Sequence, residues 1–276
     1  MKKYLLTIFI LTFVSSFAQK RETVRGSKVV TVTHPEIGPF ENLEVYNNID
    51  VFLVKGSDNV IEFEADDNLH EHISAEVRSN TLRLSTTKDL SGFKKLSVRV
   101  TYTDNFKMVV SRDDATVTAL SEIKLAELTL KCYDDSKLFA YADAKSFTLI
   151  TNDKSKVELN LKSEDAIMEL SKNSQLKGLV TAPKLKCDMY QKATAVLEGD
   201  VDEFKLRMDN QSNFTGKKLT SKYASIILEG SAKASVYTNS KLTLEASGKS
   251  ELYFYGEGKI DIKRFIDDVN LYKRSK

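Results

Sequence analysis

Asp113, Asp134 and Asp153 open three similar phrases, DDATV, DDSKL and DKSKV. Asp114 and Asp135 double the charge of the first two. Carboxylates that return to one place in a fold could form an oxygen-rich ladder for Ca²⁺. Stacked like charges otherwise repel unless water or a cation screens them. The same residue type also suits a turn, because Asp hydrogen-bonds nearby backbone and faces solvent. The GGxGxD repeat of calcium-binding solenoids is missing. The ladder therefore reads as turn residues, and no metal site is assigned.

Other chemically capable residues are sparse. His70-Glu71-His72 would put two imidazoles on one face of a strand. Two ligands do not complete a zinc site, and no Cys lies nearby, so a solvated turn is the better reading. His34 precedes Pro35 in a loop. No GxSxG, HExxH, P-loop or GxGxxG pattern occurs. No Arg stands between Arg112 and Arg207, whereas acidic-polysaccharide chemistry needs carboxylates clustered with Arg or Lys. No catalytic, cofactor-binding or metal-binding residue is assigned, and no cofactor is expected.

The phrase that carries the aspartates continues along the chain. KNSQL (172–176), QKATA (191–195), NQSNF (210–214), AKASV (232–236) and GKSEL (248–252) follow. The third position is always small: Ala115, Ser136, Ser155, Ser174, Ala193, Ser212, Ala234 and Ser250. These steps measure 21, 19, 19, 19, 19, 22 and 16 residues. Two residues on stands an apolar side chain, from Val117 and Leu138 to Val236 and Leu252. A second column, Leu128, Phe147, Ala166, Leu185, Phe204, Tyr223 and Leu242, keeps a spacing of 19 throughout. Alternating pieces such as KVELNL have the period of a strand. The repeat is too short for two helices, and neither LxxLxLxxN nor a hexapeptide period is present.

The expected fold is all-β: a single-stranded right-handed parallel β-helix with coils of about 19 residues. Coils stacked about 4.8 Å apart would give a rod of roughly 40 Å from about eight repeats. The small position fits a tight bend, and apolar columns form the core. Cys132 and Cys187 then lie three coils apart, roughly 14 Å, beyond the 7 Å reach of a disulfide. Two buried free thiols are expected.

Around this core, four segments are expected. Residues 1–18 have a basic start, an apolar run and Ser16-Phe17-Ala18 before Gln19, the layout of a cleaved signal peptide. Residues 19–106 read as β-strands continuous with the solenoid, 107–259 as regular coils and 260–276 as a C-terminal cap. The FIDDVNLYKR part of that cap reads as a short helix. No later run is apolar enough to span a membrane. Lys+Arg of 41 against Asp+Glu of 39 gives no case for nucleic acid.

The stretch from Phe40 to Val45, Ile49-Asp50-Val51 with Leu53, Gly56, Ala65-Asp66 with Asn68-Leu69, and Asn80-Thr81-Leu82 with Leu84 carries a resemblance. It is similar to the opening of the putative auto-transporter adhesin, head GIN domain family. The likeness covers roughly 35–260. It implies an exported domain with a right-handed β-helix, and the family name implies adhesion. Family coils often turn on Gly-Ser-Gly-Asp, where this chain uses Asp, Lys, Asn and Gln.

The function expected is therefore that of an exported, non-enzymatic module in the periplasm, at the outer-membrane surface or secreted. It would bind a cell-surface glycan or protein, or self-associate through a solenoid face. Tyr237, Tyr253, Phe254 and Tyr255 crowd the last coils and could contribute such a face. The alternative is a β-helix carbohydrate-active enzyme of lyase or hydrolase type.

Overall fold

The computed structural model describes residues 22–275; the leader assigned to 1–18 lies outside them. The described residues are 67% strand and 2% helix, wound into a β-solenoid of about nine turns. The repeat length has a simple origin. Lys137–Thr151, Lys156–Leu170, Gln175–Met189 and Thr194–Met208 are each strands of 15 residues, and four turn residues separate one from the next. Burial alternates along each strand and slips phase once, where two consecutive outward residues such as Glu164-Asp165 let the strand round a corner. Neighbouring coils pair parallel and in register, so Leu138, Val157, Leu176 and Ala195 stack as one inward column. Leu128, Phe147, Ala166, Leu185 and Phe204 form another.

The turn explains the repeated phrase. Asn47, Asp113, Asp134, Asp153, Lys172, Gln191, Asn210, Gly230, Gly248 and Asp267 all have φ between 54° and 76°. That left-handed conformation suits Gly, Asn and Asp and costs other L-residues about 1–2 kcal/mol. Two residues later in the repeating coils comes a side chain with no room: Ser136, Ser155, Ser174, Ala193 and Ser212 are wholly buried. Lys172 and Gln191 are the poorest choices in the left-handed column. Gln191→Asn should stabilise the protein by about 0.5–1 kcal/mol, read as a higher midpoint in urea. An unchanged or lower midpoint would show that this turn carries no conformational strain.

Two columns differ from the sequence pattern. The small residue opposite Ser212 and Ser250 is Ala232, not Ala234, because Asn213 pairs with Lys233 and Lys233 with Glu251. Ala234 instead fills the apolar column between Phe214 and Leu252. Likewise Ala224, not Tyr223, stacks between Phe204 and Leu242, and Tyr223 is exposed. The cause is a bulge between Val196 and Glu198, where the next coil gains a residue. The coil after that gives residues back by skipping Lys217 to Leu219. The anomalous steps of 22 and 16 are this irregularity seen with the wrong alignment.

The two ends of the rod differ. Asn42–Val45 and Asp50–Lys55 form a coil that lies between Met108–Ser111/Thr116–Ala119 on one side and Thr81–Thr86/Leu96–Tyr102 on the other. Chain order and stacking order therefore part company in the N-terminal third. Beyond that coil, Ile73–Arg78 and Val60–Asp66 pair antiparallel with the end strands, and Val30–Thr33 adds to Val60–Asp66. A 3₁₀ helix, Asp67–His72, completes this cover. At the other end Lys259–Phe265 and Asn270–Lys273 are strands stacked parallel on the preceding coil, the first with a register shift that leaves Lys263 unpaired. The helix expected in FIDDVNLYKR is a strand, because Leu271 continues the apolar column of Leu252.

Candidate binding groove

Each aspartate of the ladder is occupied by backbone. Asp113 Oδ2 accepts the Asn47 N–H at 2.8 Å, and Asp134 Oδ2 accepts the Asp113 N–H at 3.1 Å. Asp267 Oδ2 takes the Gly248 N–H at 3.0 Å at the far end of the rod. Asp153 Oδ1 meets Lys172 Nζ at 2.5 Å, and that contact, aided by an Asp134 backbone N–H, holds its carboxyl below the usual range. The carboxylates thus stitch each coil to the turn before it, and these donors offset the stacking of like charge.

The remaining candidates stand apart from one another. His70 places its two ring nitrogens 2.9 Å from Thr31 Oγ1 and 3.0 Å from Thr33 Oγ1, so it fastens the 3₁₀ helix to a strand. His72 faces Glu71, and His34 pairs with Glu62 at 3.2 Å. Among the described residues no group of three or more His, Cys, Asp or Glu is placed to hold a metal ion. Cys132 and Cys187 are both free and buried, as the coil spacing predicts. Burial pushes the Cys132 thiol up to about 11, although the Ser136 hydroxyl 3.1 Å from its sulfur opposes the shift, and pushes Cys187 higher still. Burial thus favours the protonated thiol at both positions. Of the terminal aromatics, Phe254 is core, while Tyr253 stacks on Tyr272 at 5.0 Å beneath Arg274.

Side-chain alternation places the feature that stands out. On one face, Phe139, Glu158, Lys177 and Val196 form an outward row. Tyr141, Asn160, Leu179 and Glu198 form a second outward row two residues on. Between them run Ala119, Ala140, Leu159 and Gly178, whose inward parity leaves mostly backbone as the floor of a groove of about 640 Å³. The groove crosses five coils, roughly 20 Å along the rod. Tyr141, Leu179 and Val196 are exposed at 46%, 48% and 40%, at positions where a solvated strand face normally carries polar residues. The Glu122 carboxylate lies against the Tyr141 hydroxyl and raises it. Lys218 holds Glu198 at 3.0 Å. A larger depression of about 740 Å³ lies at the next corner; half of its lining residues are charged, and of these Lys124 and Asp143 already pair.

Sequence alternation held the signal for this groove. Phe139, Tyr141, Leu179 and Val196 are apolar at outward parity, which becomes visible once the inward columns are aligned.

A rod of stacked parallel coils of about 19 residues defines the β-solenoid class. The chain belongs to the family described as "Putative auto-transporter adhesin, head GIN domain", whose model matches residues 39–258. Two similar structures, from Parabacteroides merdae ATCC 43184 and Parabacteroides distasonis ATCC 8503, are each called a putative adhesin. The first is 18% identical with a TM-score of 0.65, covering 91% of this chain and 99% of its own. The second is 16% identical with a TM-score of 0.68, covering 91% and 100%. A further P. distasonis structure, called a putative lipid binding protein, is 13% identical at a TM-score of 0.58, covering 91% and 100%. At these identities the likeness is one of fold. None of the curated proteins matches the sequence. Among the described residues no helix is long and apolar enough to cross a membrane.

Proposed function

We propose that the protein is an exported, non-catalytic adhesion module whose groove binds an extended cell-surface glycan along the rod axis. The exposure of Tyr141 and Leu179 between Asn160, Glu158 and Lys177 carries this reading. Aromatic and apolar surface takes the faces of sugar rings, and flanking amide, carboxylate and ammonium groups take hydroxyls. A rigid sheet presents these groups with little ordering cost on binding. The basic and apolar leader, followed by small residues before Gln19, supports export to the periplasm, the outer-membrane surface or the medium. An adhesin and a carbohydrate-active enzyme part on turnover. A glycan array should give hits whose affinity falls at least about tenfold in Tyr141→Ala, in line with loss of an aromatic anchor. A reducing-end assay on the same glycans should stay flat. Product formation would replace this reading with the enzymatic one, and an array without hits would end the glycan assignment.

A further inference from the structure

The C-terminal end of the rod is unlike the other. Among the described residues, Lys259–Phe265 and Asn270–Lys273 pair only with the coil beneath them. Ile262, Phe265 and Ile266 are exposed at 48%, 41% and 43%, although Ile262 and Phe265 continue the core columns of Leu244 and Ala246. An open β edge over exposed core invites another strand. The direction of its peptide groups follows from the register. Ala246 accepts from the Ile266 N–H, so Leu242, Leu244 and Ala246 turn their peptide groups toward the end coil. Their partners Ile260, Ile262 and Phe265 then turn theirs outward.

We infer that this edge pairs with the same edge of a second copy, end to end and antiparallel about a two-fold axis. The strand KIDIKRF is complementary to itself in one register. Setting Ile260 opposite the partner's Phe265 places two core-facing side chains together and lets two outward peptide groups exchange hydrogen bonds. The same register sets Asp261 opposite the partner's Arg264, at a pair without hydrogen bonds, where side chains approach most closely. Arg264 is exposed and has no ion pair among the described residues, whereas Asp261 faces outward beside Lys241 and Lys263. The two-fold axis makes each pair occur twice. A second copy thus covers the apolar end, completes the ladder and supplies the carboxylate that Arg264 lacks. The other end of the rod already has its antiparallel cover, so the pairing closes at two copies and does not propagate.

Sedimentation equilibrium on the full mature chain tests this. The wild type should approach twice the chain mass as concentration rises. Asp261→Arg or Arg264→Asp alone should weaken the dimer about tenfold or more, because each creates two like-charge pairs. The exchanged double variant should recover it. A monomer at every concentration, or a dimer indifferent to the single reversals, overturns the inference. Hydrogen exchange needs no variant: the Ile260 and Phe265 amides should slow with rising concentration, and concentration-independent exchange there overturns it equally.

Discussion

Asp66→Ala should lower the melting temperature by about 10 °C, more than any other single side-chain truncation in the N-terminal cover. Asp66 is wholly buried at the end of Val60–Asp66. Its Oδ2 accepts the Lys28 N–H at 2.8 Å, and its Oδ1 accepts the Lys94 and Lys95 N–H groups at 3.0 Å each. One carboxylate therefore joins the chain entering the cover, the strand it terminates and the chain leading into Leu96–Tyr102. Gly26 is part of the arrangement, because a Cβ there would stand 2.3 Å from Asp66 Oδ2. Truncation leaves three partly buried N–H groups without their acceptor. Burial alone would raise the Asp66 carboxyl, but the backbone donors of Lys28, Lys95 and Lys94 outweigh it and the net shift is downward. A carboxyl lowered in the folded state stabilises fully above its unfolded value, near pH 4, and loses that contribution as pH falls through the folded one. Melting followed by circular dichroism should show the gap between wild type and Asp66→Asn narrowing as the pH falls below 4. A gap of under about 2 °C for Asp66→Ala at pH 7 would mean that the cover does not depend on this hub.

Repetition made most of the fold legible. A coil buries its columns only against its neighbours, so the same demands recur at each turn and appear in the sequence as columns. The small Ser136 and Ser155 and the apolar Leu138 and Val157 were readable for that reason. The left-handed turn was written in the same letters, although the aspartates looked like a site because Asn, Asp and Gly serve that conformation and Asp serves cations as well. Legibility fails where the period breaks. Ala232 and Ala224 fill their columns one residue beyond the 19-residue spacing because of one bulge, and a fixed spacing cannot register an inserted residue. The order of stacking at the N-terminal end was invisible, because Asn42–Val45 and Thr81–Thr86 meet through pairings that follow no period. The terminal strand Asn270–Lys273 reads as helical because its polar letters lie on a coil that, among the described residues, has a neighbour on one side only. The groove required two steps: aligned columns first, and then the exceptions to alternation at Phe139, Tyr141, Leu179 and Val196.

Gly199→Ala should destabilise the protein by about 3–5 kcal/mol, although it adds one methyl group to an apolar column. Gly199 pairs with Val180 on one side and Leu219 on the other, so column logic alone would favour an apolar residue there. Two facts oppose it. The φ of Gly199 is 117°, outside what an L-side chain readily adopts, and a Cβ would lie 2.1 Å from the Val180 carbonyl oxygen. Backbone cannot yield as a side-chain tip does, so the coil must shift. The strain also falls beside the bulge at Val196 and Glu198, which closes one end of the groove. Gly178, on the groove floor, is the control. Its φ is not in the left-handed region, and a Cβ would meet Leu197 Cδ2 at 3.1 Å and the Leu159 oxygen at 3.2 Å, contacts that small adjustments relieve. Gly178→Ala should cost under about 1.5 kcal/mol. Urea unfolding of both variants decides the matter: equal losses would show that crowding in the column governs Gly199. A loss confined to Gly199→Ala, with weaker glycan binding at temperatures where it stays folded, would show that the bend at Gly199 both closes the coil and places Glu198 at the mouth of the groove.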